Sequence, residues 1–88
     1  TVYNLGLAES NSDYFKIYPN PSLDGKFFID WNENFTVTRL SVKDAYGKIK
    51  RQIYSKSNEI DLSELPAGLY FVIIESPSSQ YVLKVVKL

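Results

Sequence analysis

The chain contains no cysteine and no histidine. Without cysteine no disulfide can hold it, so folding rests on buried side chains; a β-sandwich can live outside the cell on that basis, and the compartment stays open. Without histidine it lacks the commonest general base and the commonest metal ligand. It has no excess charge: ten Lys and Arg balance ten Asp and Glu, for a formal net charge of zero. That removes the electrostatic case for nucleic acid or an anionic membrane as partner. No apolar run approaches the roughly 20 residues of a helical membrane span. The first residues also lack the basic-then-apolar order of a signal peptide. A glycine-rich phosphate loop, a calcium-loop spacing of acids and a nucleophile beside a plausible base are all missing. Catalysis is therefore not expected, and neither a cofactor nor a small-molecule substrate is implied.

What is present suits a small β domain. The 88 residues are 44% hydrophobic and 15% aromatic, with seven Tyr, five Phe and one Trp. Such a composition folds rather than staying disordered, and aromatic side chains favour strands. A chain of this length buries only about 60–65% of the surface it exposes when unfolded, so its core is modest. It begins with Thr1 rather than an initiator methionine. It is therefore expected to be a piece of a longer protein whose export signal lies upstream.

Residues 1–13 read as a linker to an upstream domain: Gly6 and Glu9-Ser10-Asn11-Ser12-Asp13 break any sustained period. From Tyr14 about seven short strands are expected, and no helix. Tyr14 to Tyr18 is closed by Pro19 and Pro21, and Ser22-Leu23-Asp24-Gly25 turns the chain. Lys26 to Trp31 alternates, with Phe27, Ile29 and Trp31 on one face. Thr36 to Asp44 places Leu40 and Val42 opposite Arg39, Ser41 and Lys43. After a hairpin at Ala45-Tyr46-Gly47-Lys48, Ile49 to Tyr54 is expected to put Ile49, Arg51 and Ile53 on one face. Glu59 to Leu62 is brief. Leu69 to Ile74 is apolar throughout and is expected to be packed on both faces. Tyr81 to Lys87 ends the chain. The fold class is all-β: an antiparallel two-sheet sandwich of about seven strands, immunoglobulin-like.

Four segments stand out. Leu65-Pro66-Ala67-Gly68-Leu69-Tyr70 suits a corner at which the Tyr70 hydroxyl bonds back to backbone a few residues upstream. Gly47 suits the positive-φ position of a hairpin. These two are read as structural. Pro19-Asn20-Pro21, followed by Gly25, makes a stiff, extended path that would lose little entropy on being gripped. In Lys84-Val85-Val86-Lys87 the two lysines fall on opposite faces, as do the two valines. This strand is expected at an open sheet edge. Lysines guard such edges against pairing with other chains, and a partner strand can also extend them.

In this order the four segments resemble the type A C-terminal sorting domain of the type IX secretion system. The likeness spans about Phe15 to Leu88. It rests on Tyr18-Pro19-Asn20-Pro21 with Gly25, Asp44 to Lys48, Leu65 with Gly68 and Tyr70, and Lys84 to Lys87. The resemblance implies an export address. A cargo covalently attached upstream would reach the periplasm by an ordinary signal peptide, and the type IX shuttle and outer-membrane translocon would then recognise the folded domain. A sortase-like cysteine protease would cut within Thr1 to Asp13, leaving the cargo at the cell surface or outside the cell. It also implies recognition residues among Lys84, Val85, Val86, Lys87, Pro19, Asn20, Pro21 and Gly25. An alternative is an immunoglobulin- or fibronectin-like accessory module that binds carbohydrate or protein at a cell surface. Its candidate aromatic platforms are Trp31, Tyr46, Tyr54 and Tyr81. A further alternative is a spacer beside a catalytic domain, which would tolerate any substitution that keeps the fold.

Overall fold

A computed structural model describes residues 14–88; the expected linker and cleavage region, 1–13, lies outside them. Seven strands form: β1 (Phe15–Tyr18), β2 (Lys26–Trp31), β3 (Arg39–Asp44), β4 (Ile49–Ile53), β5 (Glu59–Asp61), β6 (Gly68–Glu75) and β7 (Gln80–Lys87). They make a three-stranded sheet in the order β1-β2-β5 and a four-stranded sheet in the order β4-β3-β6-β7. All named pairings are antiparallel. The all-β, two-sheet architecture is the one expected from the alternation.

The period-two pattern builds the core. Phe15 and Ile17 of β1, Phe27 and Ile29 of β2 and Ile60 of β5 are buried from one sheet. They meet Leu40 and Val42 of β3, Tyr70, Val72 and Ile74 of β6, and Leu83 and Val85 of β7. Each fully buried aliphatic or phenyl side chain contributes about 1.5–3 kcal/mol relative to exposure, which is how so short a chain holds without cross-links.

Three sequence expectations change. The strand expected from Thr36 begins at Arg39, because Phe35 is drawn into a ring cluster with Tyr14, Trp31 and Tyr81. Ile49 does not share a face with Arg51 and Ile53. The β3–β4 register shifts so that Val42 faces Arg51 while Lys43 faces Ile49, leaving Lys50 as the extra residue. Such a bulge turns every side chain beyond it to the other face. Strand β6 is packed against another layer on one face only. Tyr70, Val72 and Ile74 point inward, while Leu69, Phe71 and Ile73 lie on the outer face, where Ile73 is buried among neighbouring side chains and Leu69 and Phe71 are half-buried.

The sandwich has two distinct poles. The registers put Asp44, Gly68 and Lys87 at one end of the larger sheet and Lys26 and Asp61 at the matching end of the smaller one. At the other pole Phe15, Trp31, Phe35 and Tyr81 pack ring against ring with centroids 5.6–6.1 Å apart. Tyr14 joins them, stacked on Phe35 at 5.1 Å, and its carbonyl accepts the Asn32 N–H at 2.8 Å.

Candidate functional site

All four sequence motifs gather at the first pole. The hairpin is the simplest. Asp44 Oδ1 accepts the N–H groups of Tyr46 (2.9 Å) and Lys48 (3.0 Å), and Gly47 takes φ 86°. These bonds favour the ionised carboxylate, so the Lys48 N–H first, then that of Tyr46 and the charge of Lys50, hold Asp44 below the usual carboxylate range. At the Leu65–Tyr70 corner the Tyr70 hydroxyl donates to the Pro66 carbonyl at 2.6 Å. Tyr70 is 4% exposed, so this is the buried corner lock the sequence suggested.

The Pro19-Asn20-Pro21 segment is not a free extended arm. The Tyr18–Pro19 and Asn20–Pro21 bonds are cis, and the segment is already gripped by the end of β7. Asn20 Oδ1 accepts the Val86 N–H at 3.0 Å, and Asn20 Nδ2 donates to the Lys84 carbonyl at 2.9 Å. One step on, the Ser22 N–H donates to the Val86 carbonyl and its carbonyl accepts the Leu88 N–H, both at 2.9 Å. A primary amide carries a donor and an acceptor side by side, so Asn20 mimics a peptide unit of a neighbouring strand. This overturns half of the edge expectation. Strand β7 is at the edge of its sheet, but its outward backbone from the Lys84 carbonyl to Leu88 is closed by the domain itself.

Ser22 is a hub that the sequence reading passed over. It is fully buried, and its Oγ accepts the Gly25 N–H at 3.1 Å and lies 2.9 Å from the Lys26 carbonyl. A small hydroxyl just ahead of an Asp-Gly turn was the available signal. Asp24 closes the turn by accepting the Lys26 N–H at 3.0 Å. That bond, followed by the Ser22 hydroxyl, lowers its pKa. Gly25 has φ 83° and no room for a side chain: a Cβ there would lie 3.0 Å from the Leu62 carbonyl carbon and oxygen and from Lys87 Cδ.

The two terminal lysines differ. Lys87 turns inward, and its ammonium donates to the carbonyls of Leu62 (3.2 Å), Ser63 (2.9 Å) and Leu65. All three of its protons are thereby engaged, and the end of β7 is tied to the crossover between β5 and β6. Lys84 points outward and is exposed, as the period-two reading required, and Val85 is core while Val86 is outward and half-buried. Of the residues expected to be recognised, Pro19, Asn20, Pro21, Lys84 and Val86 therefore lie on the outside of this pole. Gly25, Val85 and Lys87 hold it together from within.

The aromatic platforms considered above are not brought onto one surface. Tyr46 is 96% exposed at the hairpin tip of the first pole, whereas Trp31 and Tyr81 pack into the ring cluster of the second. The Trp31 indole N–H donates to the Ser57 carbonyl at 2.9 Å.

No curated protein matches the chain. A solved structure of PorZ, described as an essential bacterial surface component of the type-IX secretion system of Porphyromonas gingivalis, superposes with a TM-score of 0.66 at 16% identity. The match covers 97% of this chain and 12% of that one, and at this identity it shows a shared fold. The family model for the secretion system C-terminal sorting domain matches residues 16–88. The chain therefore belongs to the C-terminal sorting-domain family of the type IX secretion system.

Proposed function

We propose that residues 14–88 are an export address that directs a covalently attached upstream cargo across the outer membrane through the type IX shuttle and translocon. Residues 1–13 would be the linker in which a sortase-like cysteine protease cuts. The protein would pass through the periplasm and end at the cell surface or outside the cell. The observation that carries this reading is the convergence of four motifs, far apart in the chain, on one pole with Lys84 and Val86 facing outward. The shared fold with a type-IX surface component is consistent with a module of that apparatus.

The test is a reporter with a periplasmic signal peptide, followed by residues 1–88. It is expected at the surface of a strain with the type IX machinery and held in the periplasm of the same strain lacking the translocon. Equal delivery in both strains would refute the reading. Deleting Val85 to Leu88 is a poor probe of the tail, because it removes the fully buried Val85 and the Lys87 tether. Lys84→Ser with Val86→Ser changes outward side chains only. It should lower delivery several-fold while the melting temperature holds.

A further inference from the structure

The two sheets present unlike outer faces. On the smaller sheet opposite charges stand directly across from one another, Lys16 facing Asp30 and Lys26 facing Asp61, on either side of a partly exposed Tyr18–Phe28 pair, so its charges are matched. Cross-strand pairs of this kind suit a solvated face. On the larger sheet the outward rows run Gln52–Ser41–Ile73–Val82 and Ile49–Lys43–Phe71–Lys84, with Leu69–Val86 beyond. Arg39 is satisfied by Glu75, its Nη2 lying 2.6 Å from the carboxylate. Lys43 and Lys84 have no ion pair among the described residues. This face thus carries three bases against one acid in a chain whose formal net charge is zero. Val82 is 50% and Ile49 48% exposed, so apolar surface and unpaired positive charge coincide here.

We propose that this face, centred on Phe71 between Lys43 and Lys84, docks a partner protein through an apolar segment flanked by carboxylates. The proposal rests on the sorting reading and extends it from the terminal strand to β3, β4 and β6. Unpaired lysines bordering an apolar patch select for acid on the partner and against base. Strand addition along the terminal residues is not the mode, since Asn20 and Ser22 occupy that backbone. The partner lies across the face instead. A second copy is a poor occupant: a two-fold contact through this face sets lysines against lysines.

The experiment uses the reporter fusion carrying residues 1–88. Lys43→Glu with Lys84→Glu should reduce surface delivery by at least about tenfold at an unchanged melting temperature, as like charges are forced onto the partner. The single Lys43→Glu, on β3 two strands away from β7, should also reduce it, whereas Lys43→Arg and Lys84→Arg should keep wild-type delivery. A photo-crosslinker at Val82, but not at Phe28 on the other sheet, should capture a peptide with Asp or Glu beside apolar residues. Wild-type delivery by Lys43→Glu, while Lys84→Ser with Val86→Ser fails, would overturn the face and leave the sorting reading standing. Failure of the wild-type fusion itself would remove both. Val82 crosslinks to another copy of the chain would overturn the choice of partner. So would flotation with phosphatidylglycerol vesicles that is lost in Lys43→Glu.

Discussion

Replacing Gly25 by alanine should destabilise the domain more than the same change at Gly47, although both glycines hold nearly the same φ, 83° and 86°. At Gly47 nothing lies within 4 Å of an added Cβ, so only the backbone term acts. A left-handed residue other than glycine costs roughly 1–2 kcal/mol, and alanine recovers about 0.4–1 kcal/mol by restricting the unfolded chain. The net for Gly47→Ala is therefore about 1 kcal/mol. At Gly25 the Cβ also meets the Leu62 backbone and Lys87 Cδ at 3.0 Å. Lys87 can swing aside only by leaving its three carbonyls, and the Leu62 backbone is fixed by its N–H donating to the Gly25 carbonyl at 2.8 Å. Overpacking of this kind adds about 1–3 kcal/mol. Urea and thermal denaturation followed by Trp31 fluorescence would measure the gap, which should exceed about 4 °C in melting temperature for each kcal/mol. Adding Lys87→Ala to Gly25→Ala should relieve little, because the backbone contact remains. A gap below about 0.5 kcal/mol, the scatter of ordinary surface substitutions, would refute the close-approach argument.

Other consequences can be checked with the isolated domain. Asn20→Ala uncovers the Val86 N–H and the Lys84 carbonyl at a sheet edge. It should cost about 1 kcal/mol and introduce concentration-dependent self-association, read by sedimentation; a monomer at all concentrations would show that the amide does not guard the edge. Acid should destabilise the fold with a definite sign. Asp24, Asp44 and Asp61 are held below the ordinary carboxylate value by turn hydrogen bonds: from the Lys26 N–H, from the Lys48 N–H, and from Ser63 through its side chain first and its N–H second. The unfolded chain then binds protons that the folded one does not. Stability is accordingly complete above about pH 4 and falls as pH drops through the lowered folded values. Asp44→Asn should flatten part of that slope in denaturation midpoints taken across the acid range; an unaltered slope would contradict the assignment.

How much of this was readable in the residues differs by feature. The strands were legible because alternation is local: Phe27 and Ile29 against Phe28 and Asp30 already state which face is inside. The Tyr70 corner was legible because donor and acceptor sit four residues apart. The Lys50 bulge was not, since Ile49, Arg51 and Ile53 fit an unbroken period equally well and only the partner strand fixes the register. Asn20 was recognisable as part of a motif but not as a strand mimic, because its partners lie 64 and 66 residues away and leave no trace in local pattern. The same holds for Lys87. Nothing in the order of residues says that its ammonium folds back on Leu62 rather than reaching solvent.

The separation of the two poles has a mechanical corollary. Strand β7 spans eight residues, about 26 Å at the usual rise, and the described chain enters near the ring cluster and leaves at the other end. A receptor that clasps the Asn20–Lys84 corner thus leaves the junction with the preceding polypeptide on the far side of the molecule. On the proposed sorting reading, one protein could keep its grip while a second worked on the tether, with neither waiting for the other to let go.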